Sequence, residues 1–348
     1  MRLKRGSRAY SRRGHVRVDE GGKWSRWVGV AFAFAAIVSA AALLIMEFVV
    51  PLLETRTSAF QNNRTWFEFD PWTVMPDGVQ SAQAIAERLR DNRIGTVYLE
   101  AAAWLSDGTL QEGEYAAAFA RELRAHYPAL KVLVWVRMSG EQIADEVMRE
   151  RALRLAQKAV FEWQFDGVQL NGYAIVNGSE SYVQMIRALR ETIGSDALLS
   201  VTAPPDRIPA DPDVPIGLSV APELTWDVNY KQRIGLLLVD EIVIMAYAAG
   251  LEDSAAFETW VAYQLESYAE ALSGLESRVK LAVALPTFDA APGHDPAVET
   301  VRAAVRGVEQ GRGRMVDSDR FDGVGVYIYS ATDSLEWAIY RDAWLGLD

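Results

Sequence analysis

The stretch FDGVQLNGY (165–173) has the alternation of a β-strand that opens with an Asp-Gly turn. Successive side chains in a strand point to opposite faces, so Gln169, Asn171 and Tyr173 share one face, and the valine and leucine between them share the other. The apolar pair suits a face that is covered by helices. The three polar side chains then point into a barrel, where burial is costly unless each finds a hydrogen-bond partner or a ligand. This strand therefore predicts a barrel with a polar site at its mouth.

Outward from this strand, a unit of short apolar strand, polar loop and amphipathic helix repeats eight times. This is the pattern of a closed (β/α)₈ TIM barrel, here over residues 65–348. A doubly wound open sheet is the alternative. The count of eight strands, and the lack of a glycine-rich phosphate loop after the first strand, favour the barrel. The predicted strands are 65–70, 95–101, 131–137, 166–171, 198–203, 241–247, 280–286 and 323–330.

Helical patterns separate the strands, and two intervening segments have no evident role. The helix predicted at 141–164 is unusually long, and the segment 204–226 is rich in proline and aspartate. The latter is either a lid over the barrel mouth or a surface loop. The predicted helices are 79–92, 113–126, 141–164, 179–193, 228–238, 254–276, 296–310 and 332–345.

The composition excludes several kinds of site. The chain has no cysteine, which excludes disulfides and thiolate metal sites. The only histidines are His15, His126 and His294, too few and too scattered to predict a histidine metal centre or a Ser-His-Asp triad. After residue 26 the chain carries 26 basic and 45 acidic residues, which argues against nucleic acid as a partner because phosphate binding needs a concentrated positive field. We expect no metal and no cofactor.

The N-terminal region predicts a membrane anchor. Twenty uncharged residues, 27–46, span roughly 30 Å as a helix, the thickness of a bilayer's hydrocarbon core. Nine basic residues precede them against two acidic ones, so we expect residues 1–26 in the cytoplasm as a disordered tail, and the barrel outside. We assign 27–53 to a single-pass transmembrane signal anchor and 54–64 to a linker.

A cleaved signal peptide is the competing interpretation of this region. Its support is Ala40-Ala41-Ala42, three small residues of the kind found at cleavage sites. The apolar stretch is longer than the usual 7–15 residues of a signal peptide, and the basic leader is long, so an uncleaved anchor is favoured.

The strand at 165–173 resembles the fourth strand of glycoside hydrolase family 18, the chitinase-like barrels. That family carries a DGxDxDxE pattern there, and this chain has Asp166, Gly167, Gln169, Asn171 and Tyr173 at the patterned positions. The resemblance implies a polysaccharide or peptidoglycan ligand at the mouth, with Asp166, Gln169, Asn171 and Tyr173 as ligand-binding positions.

Three later strands extend the resemblance over about residues 64–345. DEIVIMAY (240–247) is similar to the family's sixth-strand motif, with Met245 and Tyr247 retained and alanine in place of the following aspartate. KLAVALPTF (280–288) is similar to the seventh-strand motif, and Tyr329 of the eighth strand stands near the family's usual tryptophan. The resemblance implies that Met245, Tyr247 and Tyr329 contact the ligand.

The departures from the family pattern argue against its usual chemistry. In the family, the glutamate donates a proton to the glycosidic oxygen, and an aspartate holds the N-acetyl group that acts as nucleophile. Tyr173 replaces that glutamate, and a phenol, with an ordinary pKa of about 10, is a poor proton donor to a leaving group. Gln169 and Asn171 keep shape and hydrogen bonding but remove two charges. One hypothesis is therefore a glycan-binding barrel without the family's catalysis, in which tyrosines and tryptophans such as Trp66 offer flat apolar surfaces to sugar rings.

Two alternatives remain open. The first is an active glycosidase with a relocated acid, for which Glu68, Asp70, Glu100 and Asp289 lie near predicted strand ends. Glu100 is favoured because it follows a strand that is otherwise apolar. The second is a scaffold protein of the cell envelope, for which a closed, filled barrel top or a large exposed apolar patch would be evidence.

Overall fold

Eight parallel strands close into a barrel in the computed structural model, which describes residues 62–70, 72 and 81–347. The barrel strands are β1 Asn63–Phe67, β2 Ile94–Leu99, β5 Lys131–Ser139, β6 Gly167–Tyr173, β7 Leu198–Ala203, β8 Glu241–Ile244, β9 Lys280–Pro286 and β10 Phe321–Tyr327. Around the barrel the order is β1, β10, β9, β8, β7, β6, β5 and β2, and every neighbouring pair is parallel. This confirms the predicted α/β barrel.

Helices alternate with the strands and cover the outside of the barrel. They are α1 Ala82–Asp91, α2 Ala116–His126, α3 Gly140–Ala144, α4 Glu146–Phe161, α5 Glu180–Ile193, α6 Val228–Leu236, α7 Ser254–Leu272, α8 Val301–Arg314 and α9 Ser334–Tyr340. Short 3₁₀ turns lie at Pro222–Leu224 and Ser318–Arg320, and a π-helical turn at Arg341–Leu345 follows α9.

The long helix predicted at 141–164 is two helices with a break at Asp145. Ser139 begins α3 with a capping box, in which its hydroxyl accepts from the Gln142 amide and the Gln142 side chain accepts from the Ser139 amide. Asp145 then ends α3 and caps α4 by accepting from the Met148 amide at 2.9 Å. The break lies directly after β5 and brings Gln142 to the barrel mouth.

An antiparallel hairpin that the sequence pattern did not reveal follows β2. Its strands are β3 Ala102–Trp104 and β4 Leu110–Glu112, three residues each. It lies beyond the C-terminal end of β2 and adds Trp104 to the mouth.

Alternation along β6 is as predicted. Val168 and Leu170 belong to the apolar layer between strands and helices. On the other face, exposure rises along the strand from 0% at Gln169 to 7% at Asn171 and 50% at Tyr173. The polar side chains therefore extend from the closed barrel interior to its open end, each more exposed than the one before.

The floor of the barrel, at the N-terminal ends of the strands, is closed by a buried ionic cluster. Arg64 Nη2 lies 2.5 Å from Glu241 Oε2 and 3.0 Å from Asp322 Oδ2. The hydroxyls of Tyr98 and Ser200 also donate to the Glu241 carboxylate. Arg64 is 1% exposed, and its contacts tie β1 to β8 and β10, while the side chains of Glu241 and Asp322 are 12% and 24% exposed.

The predicted transmembrane segment, 27–53, lies outside the residues that the structure describes, as does the tail at 1–26. Within residues 62–70, 72 and 81–347, no helix is both long and apolar enough to span a bilayer. The described residues all fall within one compact unit, Arg56–Asp348.

Candidate functional site

Two cavities open at the C-terminal end of the barrel and share Arg137 and Tyr173 in their linings. The larger, about 610 Å³, lies on the side of β2, the β3–β4 hairpin and α3. The smaller, about 310 Å³, lies over β6, β7 and β8. Because they meet at two residues, we treat them as one cleft. Its main polar and aromatic lining residues are Glu100, Trp104, Arg137, Gln142, Asn171, Tyr173, Thr202, Tyr247 and Tyr327.

Tyr173 stands at the end of β6, in the middle of this cleft. Its ring is half exposed, and its hydroxyl donates to Gln142 Oε1 at 3.4 Å. It offers the cleft a ring face and a hydroxyl.

Glu100 is the one carboxylate among the described residues that lines either cavity. Its Oε2 accepts from the Phe69 amide at 3.1 Å, and its Oε1 lies 3.6 Å from Arg137 Nη1. Burial raises the pKa of the Glu100 carboxyl above its usual range, while Arg137 and the Phe69 amide oppose that rise. Glu100 therefore has the environment of a carboxyl that keeps its proton more readily than an exposed one.

Arg137 is the cation of the cleft. Its side chain is 43% exposed, and its guanidinium lies over the Trp135 ring at 5.1 Å from the centroid. Burial lowers the pKa of Arg137, but Glu100 and other neighbours raise it, so the net shift is upward and the guanidinium stays charged. It faces both cavities and can donate to a sugar hydroxyl, an acetamide oxygen or an anionic substituent.

Tyr247 and Tyr327 form an aromatic wall on the far side of the cleft. Their rings stack at 5.3 Å between centroids with 22° between the planes. Burial raises the pKa of both phenols, so they stay neutral. Across the cleft, Trp104 donates from Nε1 to the Arg137 carbonyl at 2.7 Å, which fixes the indole beside the larger cavity.

Tyr327 lines the cleft, although the sequence pattern predicted Tyr329 as the ligand-contacting residue of this strand. Tyr329 is 4% exposed and packs outside the barrel, with its ring stacked on Phe67 at 4.3 Å. β10 ends at Tyr327, so strand alternation no longer predicts the face of residues beyond it. The available signal was the alternation of Gly323, Gly325 and Tyr327 within the strand.

Three other predicted ligand-binding residues lie away from the cleft. Trp66 and Gln169 are 0% exposed inside the barrel, where Trp66 Nε1 donates to Gln169 Oε1 at 2.6 Å. Asp166 lies at the start of β6, at the floor end, and its Oδ2 accepts from the Val132 amide and from Arg124 Nη2, both at 2.7 Å. These contacts are those of barrel-building residues.

The remaining predicted residues are divided between the cleft and its surroundings. Asn171, Met245 and Tyr247 line the smaller cavity, and Asn171 Oδ1 accepts from the Thr202 hydroxyl at 3.3 Å. Among the candidate acids, Glu68 accepts from Ser330 Oγ at 2.9 Å, close enough to Glu100 to affect its pKa. Asp70 and Asp289 are exposed and line neither cavity.

The segment 204–226 forms a wall of the cleft. Pro204, Pro205, Ser219, Val220, Ala221 and Leu224 line the smaller cavity. Its end is fixed by Trp226, whose Nε1 donates to the Ile175 carbonyl at 3.1 Å. The part of the chain that the structure describes contains no group of three or more carboxylate or imidazole side chains placed to hold a metal ion.

No family model matches the chain, and no curated protein matches it. Solved structures do. The spore cortex-lytic enzyme SleL of Bacillus cereus aligns with a TM-score of 0.54 at 11% identity, over 81% of this chain and 74% of that one. A class V chitinase from Pseudomonas fluorescens Pf-5 aligns with a TM-score of 0.52 at 13% identity, over 81% and 99%.

A glycoside hydrolase family 18 N-acetylglucosaminidase from Paenibacillus barengoltzii aligns with a TM-score of 0.51 at 13% identity, over 82% of this chain and 99% of that one. At these identities the likeness concerns the fold alone. It agrees with the closed parallel barrel described above, so the chain has a glycoside hydrolase family 18-like TIM-barrel fold.

Proposed function

We propose that this protein binds a glycan, either a cell-wall polysaccharide or peptidoglycan, in the cleft at the barrel mouth without the cleavage typical of family 18. The observation that carries the proposal is the lining of the cleft. Aromatic faces at Trp104, Tyr173 and Tyr247 stand beside hydrogen-bonding groups at Arg137 and Asn171. Flat apolar rings beside a few fixed polar groups are what sugar rings with equatorial hydroxyls require.

The chemistry of the same lining supports binding without cleavage. Hydrolysis by paired carboxylates needs two acids in the cleft, about 5–5.5 Å or 6.5–9.5 Å apart. Glu100 alone lines the cavities in the described part of the chain. The family's acid position holds Tyr173, and Ala248 stands where the sixth-strand aspartate would be.

A second candidate function, hydrolysis with Glu100 as a relocated acid, has one observation in its favour. Burial raises the pKa of Glu100, and its carboxyl faces the larger cavity. A raised pKa is what a general acid near neutral pH needs. Against it, Arg137 stands 3.6 Å from the carboxyl and favours the ionised form.

The scaffold hypothesis has less support. It expects a filled barrel top, whereas the mouth of this barrel opens into the two cavities of the cleft.

Binding is tested with the full-length protein on insoluble chitin and on peptidoglycan. We expect saturable binding that Trp104→Ala and Tyr247→Ala each weaken roughly 10- to 100-fold, because each removes an aromatic contact surface. Trp163→Ala is the matched control, since Trp163 precedes β6 at the floor end and packs on Phe165 at 5.7 Å. Equal binding by all four proteins, or none, contradicts the proposal.

We also propose that residues 27–53 hold the barrel at a membrane with residues 1–26 in the cytoplasm. The support is the uncharged stretch and the nine basic residues before it. Because the chain has no cysteine, single-cysteine variants can be labelled without background. A membrane-impermeant maleimide should label Ser195→Cys in intact cells and Ser7→Cys only after lysis. The reverse pattern, or release of both into the medium, contradicts the proposal.

A further inference from the structure

A buried histidine–carboxylate pair lies behind the aromatic wall and takes no direct part in the cleft. His294 Nδ1 lies 2.7 Å from Glu299 Oε2, and both side chains are 1% exposed. The other ring nitrogen, Nε2, lies 3.1 Å from the Phe288 carbonyl oxygen. Neither residue lines the cleft cavities, so glycan contact does not explain the pair.

The imidazole has an acceptor beside each ring nitrogen. Nε2 lies within hydrogen-bond distance of the Phe288 carbonyl oxygen, and Nδ1 lies against the Glu299 carboxylate. A ring nitrogen that carries a hydrogen therefore finds an acceptor in either tautomer, which holds the ring in one orientation.

Glu299 connects this pair to the loop that follows β8. Its Oε2 accepts from the Ala248 amide at 2.8 Å, and its Oε1 accepts from the Ala249 amide at 2.7 Å. Ala248 has a φ of +54°, a left-handed conformation that costs a non-glycine residue free energy and persists where its surroundings impose it. The Glu299 carboxylate binds the amide of this strained residue, directly after Tyr247.

Phe288 provides a second connection to the cleft. Its ring centroid lies 4.1 Å from that of His294 and 5.2 Å from that of Tyr247. Tyr247 in turn stacks on Tyr327. The histidine thus supports the aromatic wall from behind, by ring packing and through the Phe288 carbonyl.

We propose that His294 and Glu299 are positioning residues that hold the Tyr247–Gly250 loop in its glycan-binding conformation. The inference rests on the proposed glycan site, because it concerns the wall of that site. Glu299 binds the loop through two backbone amides, and His294 holds the Glu299 carboxylate in place for them. Without the imidazole, the carboxylate loses its side-chain partner and the loop loses its anchor.

The test measures two quantities on the full-length protein, both at about pH 7, at which the variants and wild type are compared. The first is binding to insoluble chitin. The second is amide hydrogen exchange of a peptide that contains Ala248 and Ala249, which needs no glycan. His294→Phe keeps a ring against Phe288 and removes both ring nitrogens. His126→Gln is the matched control, because His126 is exposed and lies at the end of α2.

We expect His294→Phe to bind chitin roughly 10-fold more weakly than wild type and its loop amides to exchange roughly 10-fold faster, as for loss of a hydrogen bond to a charged group. Peptides from the rest of the barrel should exchange as in wild type, and His126→Gln should match wild type in both measurements. If His294→Phe does not fold, Glu299→Gln tests the same link, because an amide cannot accept from both backbone amides.

A His294→Phe loop as protected as in wild type, or chitin affinity that the substitution leaves unchanged, overturns the inference. If wild type binds neither chitin nor peptidoglycan, the proposed function fails, and the loop-exchange profile still decides whether the pair holds the loop.

Discussion

Glu100 and Arg137 face each other across 3.6 Å at the edge of the barrel mouth, and Glu100 is the one carboxylate lining the cleft in the described part of the chain. The pair joins the ends of two neighbouring strands, β2 and β5. Of the carboxylates in the described part of the chain, Glu100 is the one placed for acid chemistry in the cleft, and Arg137 is the cation that an anionic substituent of a ligand would meet there. The pair is therefore the point at which binding and hydrolysis can be told apart.

The pH dependence of stability tests the environment of Glu100. Burial raises its folded-state pKa above the unfolded value, so protonated Glu100 favours the folded state, and this contribution is lost as the pH rises through the folded pKa. We expect Glu100→Gln to melt at or above the wild-type temperature at pH 7, with the difference shrinking toward about pH 4. Arg137 is 43% exposed and can be solvated without its partner. A variant that is clearly less stable than wild type at pH 7 contradicts this.

The buried amide of Gln169 should be needed for stability. Gln169→Leu leaves Trp66 Nε1 without its acceptor inside the closed barrel, which costs about 1–3 kcal/mol of unfolding free energy. Gln83→Leu on the exposed face of α1 is the control and should change stability by less than about 0.5 kcal/mol. Urea unfolding of both variants is the measurement. A Gln169→Leu protein as stable as the control would mean that the Trp66 contact contributes nothing.

Asp166 should affect stability and leave glycan affinity unchanged. Asp166→Ala removes the acceptor for the Val132 amide and the partner of Arg124 at the floor, which costs about 1 kcal/mol because the carboxylate is 40% exposed. Asn171→Ala, in the cleft, should do the reverse and weaken glycan binding by roughly tenfold. Chitin binding and urea unfolding separate the two. Lower affinity for Asp166→Ala at unchanged stability would restore Asp166 as a ligand-binding residue.

The fold should tolerate one of the family's acidic residues at its position in this chain and should be destabilised by another. Tyr173→Glu changes a half-exposed side chain and should keep stability within about 0.5 kcal/mol. Gln169→Asp places a carboxylate in a fully enclosed position without a counter-ion and should cost at least about 3 kcal/mol. Unfolding of the two single variants checks this. A stable Gln169→Asp protein would show that the interior still tolerates the charge.

Alternation and turn signals are local properties of the sequence. They were enough to predict the number and positions of the strands and the row of polar side chains along β6. Contacts between distant segments could not be found in this way. The hydrogen bond from Trp66 to Gln169 joins residues 103 positions apart. Both residues were predicted to contact the ligand, and both lie in the barrel interior instead. The hairpin that carries Trp104 is too short to give a periodic signal.

The sequence Ser139-Gly-Glu-Gln142 is a capping box that marks the start of the short helix α3. The break at Asp145 was not predicted because the helical pattern of the sequence continues through that residue. The prediction of Tyr329 as a cleft residue in place of Tyr327 has a different cause. Alternation identifies faces only inside a strand, and β10 ends at Tyr327.

The most direct measurement is the release of reducing ends from chitin and from peptidoglycan by the full-length protein, made at protein concentrations that saturate binding. Our account predicts saturable binding with no reducing ends above background, for wild type and for Glu100→Gln alike. Release of reducing ends by wild type that Glu100→Gln abolishes would contradict it and would identify Glu100 as the acid of an active glycosidase.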